Sequence, residues 1–339
     1  MGVLQIVSHQ SGAGKTSLAA ALLIKLARFQ ASAAYYQPFF KPDSASQHAE
    51  TEFLQTTLLN PSGGPSIPPA RPLPSDSITS SGLPYVEDHD IRAAVEALLQ
   101  SAASVIVDGP TLDAASQPIV IPGAKILVLF RYSPDLSTAE ISQTVEAYGS
   151  NLAGISVTLV TKHRIEAVQN GLLADLRSQG IPVAGLIPET RILRGPTVRQ
   201  IAETLNARWV QEPTDIDLPV ERFLIGGNIM DTGPEYYGRY DNQAVIVRSQ
   251  RPDIQMASLL AGTRCLVLTE DGDPTEYVKA EALQRDVPLM VVSSNTSTTV
   301  DALAPLAAQD YPLNLAKITK FADGLDLHLE VEDLLTSLA

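Results

Sequence analysis

Residues 3–17 read Val-Leu-Gln-Ile-Val-Ser-His-Gln-Ser-Gly-Ala-Gly-Lys-Thr-Ser. The first five are almost all apolar, as in a buried strand, and the alanine- and leucine-rich residues after Ser17 are typical of a helix. A Gly-x-Gly-Lys-Thr turn between a strand and a helix cradles polyphosphate, because backbone N–H groups and the positive end of the helix dipole face the anion. The stretch therefore predicts a phosphate-binding loop, in preference to an ordinary glycine-rich turn.

This loop predicts a ligand and a role for its side chains. Lys15 is expected to neutralise β- and γ-phosphate oxygens, and the Thr16 hydroxyl is expected to ligate Mg²⁺. The expected ligand is therefore a nucleotide, ATP, together with Mg²⁺. The full pattern has a glycine five residues before Gly14, where this chain has His9. The predicted nucleotide-binding residues are Ser11, Gly12, Ala13, Gly14, Lys15, Thr16 and Ser17.

Strand and helix patterns alternate along residues 1–210. The strands are uniformly apolar, which indicates a parallel sheet covered by helices on both faces. We expect a doubly wound α/β P-loop NTPase domain over residues 1–212 and a second, smaller α/β domain over residues 213–339. The expected linker is residues 212–215, which contain a proline.

Two residues outside the loop are candidates for the same site. Asp108 ends an apolar strand, where a carboxylate would lie beside the phosphate-bound Mg²⁺, although strands also end in aspartate for turn geometry. Lys41 follows a second predicted strand, and the carboxyl ends of parallel strands are where ligands bind. The alternative interpretation is that Lys41 is a solvated surface lysine. We take Lys15 and Lys41 as the candidate catalytic residues and Thr16 and Asp108 as the metal ligands.

Composition narrows the class of partner. The net charge is −14, which argues against a nucleic-acid backbone as partner. The single cysteine, Cys265, cannot form an internal disulfide, so a cytoplasmic protein is expected. Cys265 lies in an apolar run and is interpreted as a core thiol rather than a nucleophile. No apolar run reaches transmembrane length, and no membrane partner is expected.

Several of these motifs together resemble a known family. The phosphate loop, residues 40–42, the Asp108 strand and residues 185–189 look like dethiobiotin synthetase and its relatives, which include the cobyrinic acid amidases. The resemblance implies ATP- and Mg²⁺-dependent chemistry on a small carboxylate or carbamate, with Lys41 at the reacting centre. The family usually has glutamate where this chain has Asp108, and a base-contacting asparagine where it has Thr161.

A wider resemblance covers the whole chain. Residues 196–205 look like a segment from the amino-terminal half of long-form phosphate acetyltransferases, which joins a dethiobiotin-synthetase-like domain to a DRTGG domain. Residues 218–310 resemble that DRTGG domain, with Gln250 replacing the first aspartate of its Asp-Arg-x-Asp turn and Glu270-Asp271 replacing its Gly-Gly pair. The acetyl-transferring domain would follow residue 339, so acetyl transfer is not expected. The resemblance implies a homo-oligomer with a regulatory role.

Two functions of different classes follow. The first is a nucleotide-binding regulator or orphan ATPase, and the second is an ATP-dependent ligase or kinase that acts on a small carboxylate or carbamate. Whether the protein is an enzyme stays open at this point. The second domain offers one clue, because Arg251 follows a predicted strand. It would either clamp a small anionic ligand or pair with an acidic neighbour such as Glu270 or Asp271.

Overall fold

A computed structural model describes residues 2–29, 32–40, 50, 53–54, 71–72, 89–111, 120–121, 123–210, 214–227, 233–308, 311 and 313–336. The strands are β1 Gly2–Ser8, β2 Ala33–Tyr36, β3 Phe39–Phe40, β4 Arg71–Pro72, β5 Ser104–Thr111, β6 Ala124–Arg131, β7 Leu152–Val160, β8 Val183–Pro188, β9 Arg208–Trp209, β10 Arg222–Gly226, β11 Gln243–Arg248, β12 Cys265–Thr269 and β13 Leu289–Val291. The α-helices are α1 Lys15–Arg28, α2 His89–Ser101, α3 Thr138–Glu146, α4 Ile165–Ala167, α5 Ala174–Ser178, α6 Arg191–Arg194, α7 Val198–Leu205, α8 Gly233–Tyr237, α9 Pro252–Leu260, α10 Glu276–Gln284, α11 Thr296–Ala308, α12 Leu315–Leu325 and α13 Val331–Thr336. A π-helical segment, Val168–Leu173, joins α4 to α5.

The chain forms two compact units. The first comprises Met1–Thr190 and Ile318–Ala339, and the second comprises Arg191–Lys317. The first unit therefore stops before the expected boundary between residues 212 and 213. It also includes the C-terminal segment, which was expected in the second domain. Strand β9 pairs with β13, so the segment before residue 212 contributes to the second sheet. Leu329 forms an antiparallel bridge with Gly185 of β8, so the C-terminal segment returns to the first unit.

The first unit is built on a six-stranded sheet of order β2-β5-β1-β6-β7-β8, in which all neighbouring strands are parallel. Val3 and Val7 of β1 point to one face, where they join apolar clusters with residues of α2 and α3. Leu4 and Ile6 point to the other face and are fully buried, and α1 contacts β1, β2 and β5. The predicted doubly wound α/β fold is confirmed.

The second unit is a smaller α/β layer structure. Its sheet has the order β10-β11-β12-β13-β9, with β10 to β13 parallel and β9 antiparallel at one edge. One face packs against α7 and α11, and the other against α8, α9 and α10. Cys265 is fully buried in the first of these layers, and burial raises the pKa of its thiol to about 12, so it is a core residue as expected.

The C-terminal segment is attached to the edge strand β8. Leu186 donates its backbone N–H to the His328 carbonyl at 3.0 Å, and Glu330 donates to the Ala184 carbonyl at 2.8 Å. Gly185 has a φ of +138°, and a β-carbon there would clash with the His328 carbonyl. Among the described residues, no helix is both long enough and apolar enough to cross a membrane.

Candidate functional site

The phosphate loop connects β1 to α1 in the predicted order. Gly12 and Gly14 adopt φ values of +71° and +86°, which favour glycine because other residues are strained in this left-handed region. No side chain caps the amino end of α1 at Gly14, within the part of the chain that the structure describes. The first N–H groups of α1 point out of its amino end, where the helix dipole adds partial positive charge.

Lys15 and Thr16 connect the loop to the strand β5. The Nζ atom of Lys15 donates to Ser8 Oγ at 3.0 Å and to Thr111 Oγ1 at 2.8 Å. The Thr16 hydroxyl donates to Asp108 Oδ2 at 2.7 Å. Side chains of β1, β5 and α1 thus converge at the carboxyl edge of the sheet, where the order β5-β1-β6 places the loop between two strand ends.

Asp108 is a buried carboxylate, with 2% of its surface exposed. Burial raises its pKa above the ordinary value of 3.8, while the positive charge of Lys15 and hydrogen bonds from Thr16 and Tyr35 act in the opposite direction. The Tyr35 hydroxyl donates at 3.2 Å to the same oxygen, Oδ2, that accepts from Thr16. The carboxyl group of Asp108 is thus surrounded by two hydroxyl donors and lies near one cation.

The donor set at this edge fits Mg²⁺. A hydroxyl and a carboxylate lie in contact there, and Mg²⁺ is commonly held by one or two such oxygens together with phosphate oxygens and water. Among the described residues, no group of three or more His, Cys, Asp and Glu side chains is arranged to hold a metal ion. Thr16 and Asp108 are thus suited to a metal that arrives with a phosphate ligand.

The predicted site residues fall into two groups. Ser11, Gly12, Ala13, Gly14, Lys15, Thr16, Ser17 and Asp108 lie together at the loop, in the first turn of α1 and on β5. Lys41, the other candidate catalytic residue, lies outside the described residues. The part proposed for Lys41 by resemblance stays a prediction.

Three side chains that contact Lys15 or Asp108 were not predicted from the sequence: Ser8, Tyr35 and Thr111. Ser8 and Thr111 accept the two hydrogen bonds from Lys15, and they are paired in the register of β1 with β5. The register of two distant strands cannot be read from their sequences, although Thr111 follows Asp108 closely enough to be suspected. Tyr35 reaches Asp108 because β2 pairs with β5 on its outer side.

His9 occupies the position of the missing first glycine. Its Nε2 atom lies 3.3 Å from Glu140 Oε1, and its ring packs against Phe130 with centroids 5.6 Å apart. Its backbone N–H donates to the Leu129 carbonyl at 3.0 Å. The side chain therefore turns toward β6 and α3, and a glycine is not required at this position.

A cleft of about 230 Å³ lies at the carboxyl end of β8, within the first unit. Phe321 and Leu325 of α12 supply apolar walls, and Glu189 and Lys320 supply polar ones. His328 also lines the cleft, and burial lowers the pKa of its imidazole. Its Nδ1 atom is buried and has no hydrogen-bond partner within the described part of the chain. The cleft combines flat apolar surface with polar edges.

The turn after β11 in the second unit is closed by ion pairs. Arg251 forms a two-pronged contact with Asp253, at 2.9 and 2.7 Å, rather than with the expected neighbours Glu270 or Asp271. Glu270 lies 3.3 Å from Arg248 instead. Glu270 and Asp271 adopt φ values of +71° and +51°, a conformation that the two glycines of the resembling motif adopt without strain.

Comparison with known proteins identifies one family match and several similar solved structures. Residues 200–306 match the DRTGG domain family, and this range lies within the second unit. Similar solved structures include the MinC:MinD cell division complex of Aquifex aeolicus, at 16% identity over 57% of this chain and 84% of that chain, with a TM-score of 0.37. FlhF complexed with GMPPNP and Mg²⁺ is similar at 16% identity over 56% of this chain and 66% of that chain, with a TM-score of 0.37. The CBS and DRTGG domains of a Clostridium perfringens pyrophosphatase, complexed with the activator diadenosine tetraphosphate, are similar at 15% identity over 56% of this chain and 74% of that chain, with a TM-score of 0.30.

Fold, loop and family match together define the class. The chain joins a P-loop NTPase-like α/β unit to a smaller α/β unit that carries a DRTGG domain. The DRTGG part of the resemblance found in the sequence is confirmed. The likeness to phosphate acetyltransferases and to dethiobiotin synthetase stays a prediction.

Burial of Asp108 predicts a stability cost that asparagine would remove. Because the pKa of Asp108 is raised by folding, folding binds a proton above pH 3.8, and stability falls as the pH rises from 3.8 through the raised value. Asp108→Asn keeps one acceptor oxygen, whose two lone pairs can serve both Thr16 and Tyr35. We expect the variant to melt at a higher temperature than the wild type at about pH 7, without nucleotide or Mg²⁺.

Thermal melts of the two proteins test this expectation. The gain should shrink toward about pH 4, where the wild-type carboxyl also becomes neutral. The exposed Asp135→Asn serves as the matched control and should leave the melting temperature unchanged. A lower melting temperature of Asp108→Asn at neutral pH would contradict the expectation, because the charge would then be a net stabiliser.

Proposed function

We propose that the protein binds ATP with Mg²⁺ at the phosphate loop and acts as a nucleotide-dependent regulator. The observation that carries the proposal is the arrangement around Lys15 and Thr16. Lys15 is held at the loop by neutral hydroxyl groups, and Thr16 lies in contact with the Asp108 carboxylate. A cation and a hydroxyl–carboxylate pair, side by side at an uncapped helix end, match the needs of a Mg²⁺-bound polyphosphate.

Binding would rearrange few groups. The phosphate oxygens would replace Ser8 and Thr111 as acceptors of the Lys15 protons, exchanging neutral partners for charged ones. The N–H groups of Gly12, Gly14 and the first turn of α1 would donate to the phosphates. Thr16 and Asp108 would hold Mg²⁺, which neutralises phosphate charge. Such a local site is needed because the chain as a whole is acidic.

The cleft beside β8 is the proposed place for the nucleotide base. Strand β8 is the third strand from β1, across β6 and β7, so the cleft lies roughly 14 Å from the loop at the same edge of the sheet. An extended nucleotide can span such a distance. Phe321 and Leu325 offer apolar surface to a planar base, and His328 offers a buried ring nitrogen for its polar edge.

The regulatory part of the proposal rests on the second unit. That unit carries the DRTGG domain, and the ends of its sheet are occupied by internal ion pairs between Arg251 and Asp253 and between Arg248 and Glu270. A small anionic ligand of the second unit would have to displace these pairs. The homo-oligomer implied by the resemblance belongs to the same proposal, and a symmetric dimer is its simplest form, because most soluble homo-oligomers are symmetric.

Removal of the Lys15 charge tests nucleotide binding. Lys15→Ala should lower the affinity for Mg²⁺-ATP at least tenfold, about 1.4 kcal/mol, because no other loop side chain supplies the positive charge. Isothermal calorimetry measures the effect, with Lys125→Ala as the control, since Lys125 is exposed at the opposite end of β6. Equal affinities of the wild type and Lys15→Ala would refute the phosphate site.

A bulky substitution in the cleft tests whether the nucleotide base binds there. Gly324 lines the cleft, and a β-carbon on Gly324 would meet no atom within 4 Å, so Gly324→Leu adds bulk without removing a packed side chain. We expect the variant to weaken ATP binding at least tenfold and to leave binding of inorganic triphosphate unchanged. Gly171→Leu is the matched control, because its β-carbon also meets open space but lies away from the cleft. Unchanged ATP affinity in Gly324→Leu would place the base elsewhere.

The dependence of ATP turnover on added substrates distinguishes a regulator from a ligase or kinase. For a regulator we expect slow release of ADP from ATP that stays constant when small carboxylates, or amines with bicarbonate, are added. The measurement is ADP release by the full chain with a panel of these compounds, with Lys15→Ala as the blank. Stimulation by one compound, lost in Lys15→Ala, would replace the regulator with the ATP-dependent ligase or kinase.

A further inference from the structure

Arg131 lies beside the phosphate loop, although it belongs to a different strand. It is the last residue of β6, which pairs directly with β1 on the side away from β5. Its Nη1 atom lies 3.7 Å from the position that a β-carbon on Gly12 would occupy, and no other atom outside the neighbouring residues comes within 4 Å of that position. The guanidinium group is therefore the side-chain neighbour of Gly12.

The loop is tied to β6 at this point. Gln10 accepts a hydrogen bond from the backbone N–H of Arg131 through its Oε1 atom at 3.0 Å. One residue earlier, His9 packs on Phe130 and lies against Glu140. These contacts hold the end of β6 against the loop, and the bond from Gln10 does not depend on the side chain of residue 131.

The charge of Arg131 is not used within the described part of the chain. The side chain is exposed, and no described carboxylate lies within 4.0 Å of it. The chain has 38 acidic residues against 24 lysines and arginines, so an arginine without an acidic partner is unexpected on its surface. Glu140, the acidic side chain beside the loop, is engaged by His9.

We propose that Arg131 binds the terminal phosphate of a nucleoside triphosphate and makes the site prefer tri- over diphosphates. The inference rests on the proposed nucleotide binding. In the order β5-β1-β6, Asp108 approaches the loop from β5 and Arg131 approaches it from β6. A phosphate that extends beyond the loop would have the metal on one side and the guanidinium on the other. A guanidinium fork fits phosphate oxygens in pairs, and a lysine at the same place would supply charge without that geometry.

The test compares two nucleotides in four proteins. Calorimetry at one fixed salt concentration gives the dissociation constants of Mg²⁺-ADP and of a non-hydrolysable Mg²⁺-ATP analogue for the wild type, Arg131→Ala, Arg131→Lys and Lys125→Ala. Arg131→Ala should weaken binding of the triphosphate at least about tenfold and of ADP less than about threefold. Arg131→Lys should recover only part of the loss. Lys125→Ala, which removes a charge from the other end of the same strand, should match the wild type.

Two other outcomes would overturn the inference about Arg131, and they differ in what they mean for the proposed function. If the wild type binds both nucleotides and Arg131→Ala loses neither, or loses both equally, the assignment to the terminal phosphate is overturned while the proposed function stands. If the wild type binds neither nucleotide, the proposed function fails, and this inference fails with it. Because Arg131 is exposed and its tether is a backbone bond, ADP binding by the variant also reports that the loop is intact.

Discussion

The buried carboxyl group of Asp108, inside β5, is the centre of the polar contacts in the first unit. An ionised carboxylate in the interior costs several kcal/mol unless donors and cations face it. Asp108 meets this requirement through hydrogen bonds from Thr16 and Tyr35 and through the nearby charge of Lys15. These partners come from the first turn of α1 and from β2. The need to compensate one charge therefore holds separate elements in one arrangement.

The same compensation prepares the loop for an anion. Lys15 is already directed toward the loop by two hydroxyl groups, and the glycines already have the backbone conformation that turns N–H groups inward. A ligand that meets preformed donors loses less free energy to ordering than one that must assemble them. The same buried carboxyl group is expected to lower the stability of the protein without ligand. Such a trade-off is common where stability and function compete.

The sequence was sufficient for local features and insufficient for distant pairings. The strand at Val3–Val7, the glycine turn and the pairing of Thr16 with Asp108 follow from short motifs whose chemistry is specific. Thr111 and Tyr35 were missed because their positions depend on which strands are neighbours. The return of the C-terminal segment to β8 could not be read from the sequence for the same reason, because the bridge between Gly185 and Leu329 joins residues that only the fold brings together. Arg131 carried no motif, and its significance comes from the pairing of β6 with β1.

The return of the C-terminal segment to β8 has a consequence for the order in which the protein is made. A ribosome releases the six strands of the first sheet early, but the segment that covers the edge at Gly185 emerges only after the whole of Arg191–Lys317. Until then β8 exposes unpaired backbone groups, a condition that favours association between chains. The first unit therefore finishes folding after the second has been synthesised, and the long loop that its last contact closes adds an entropic cost to that step.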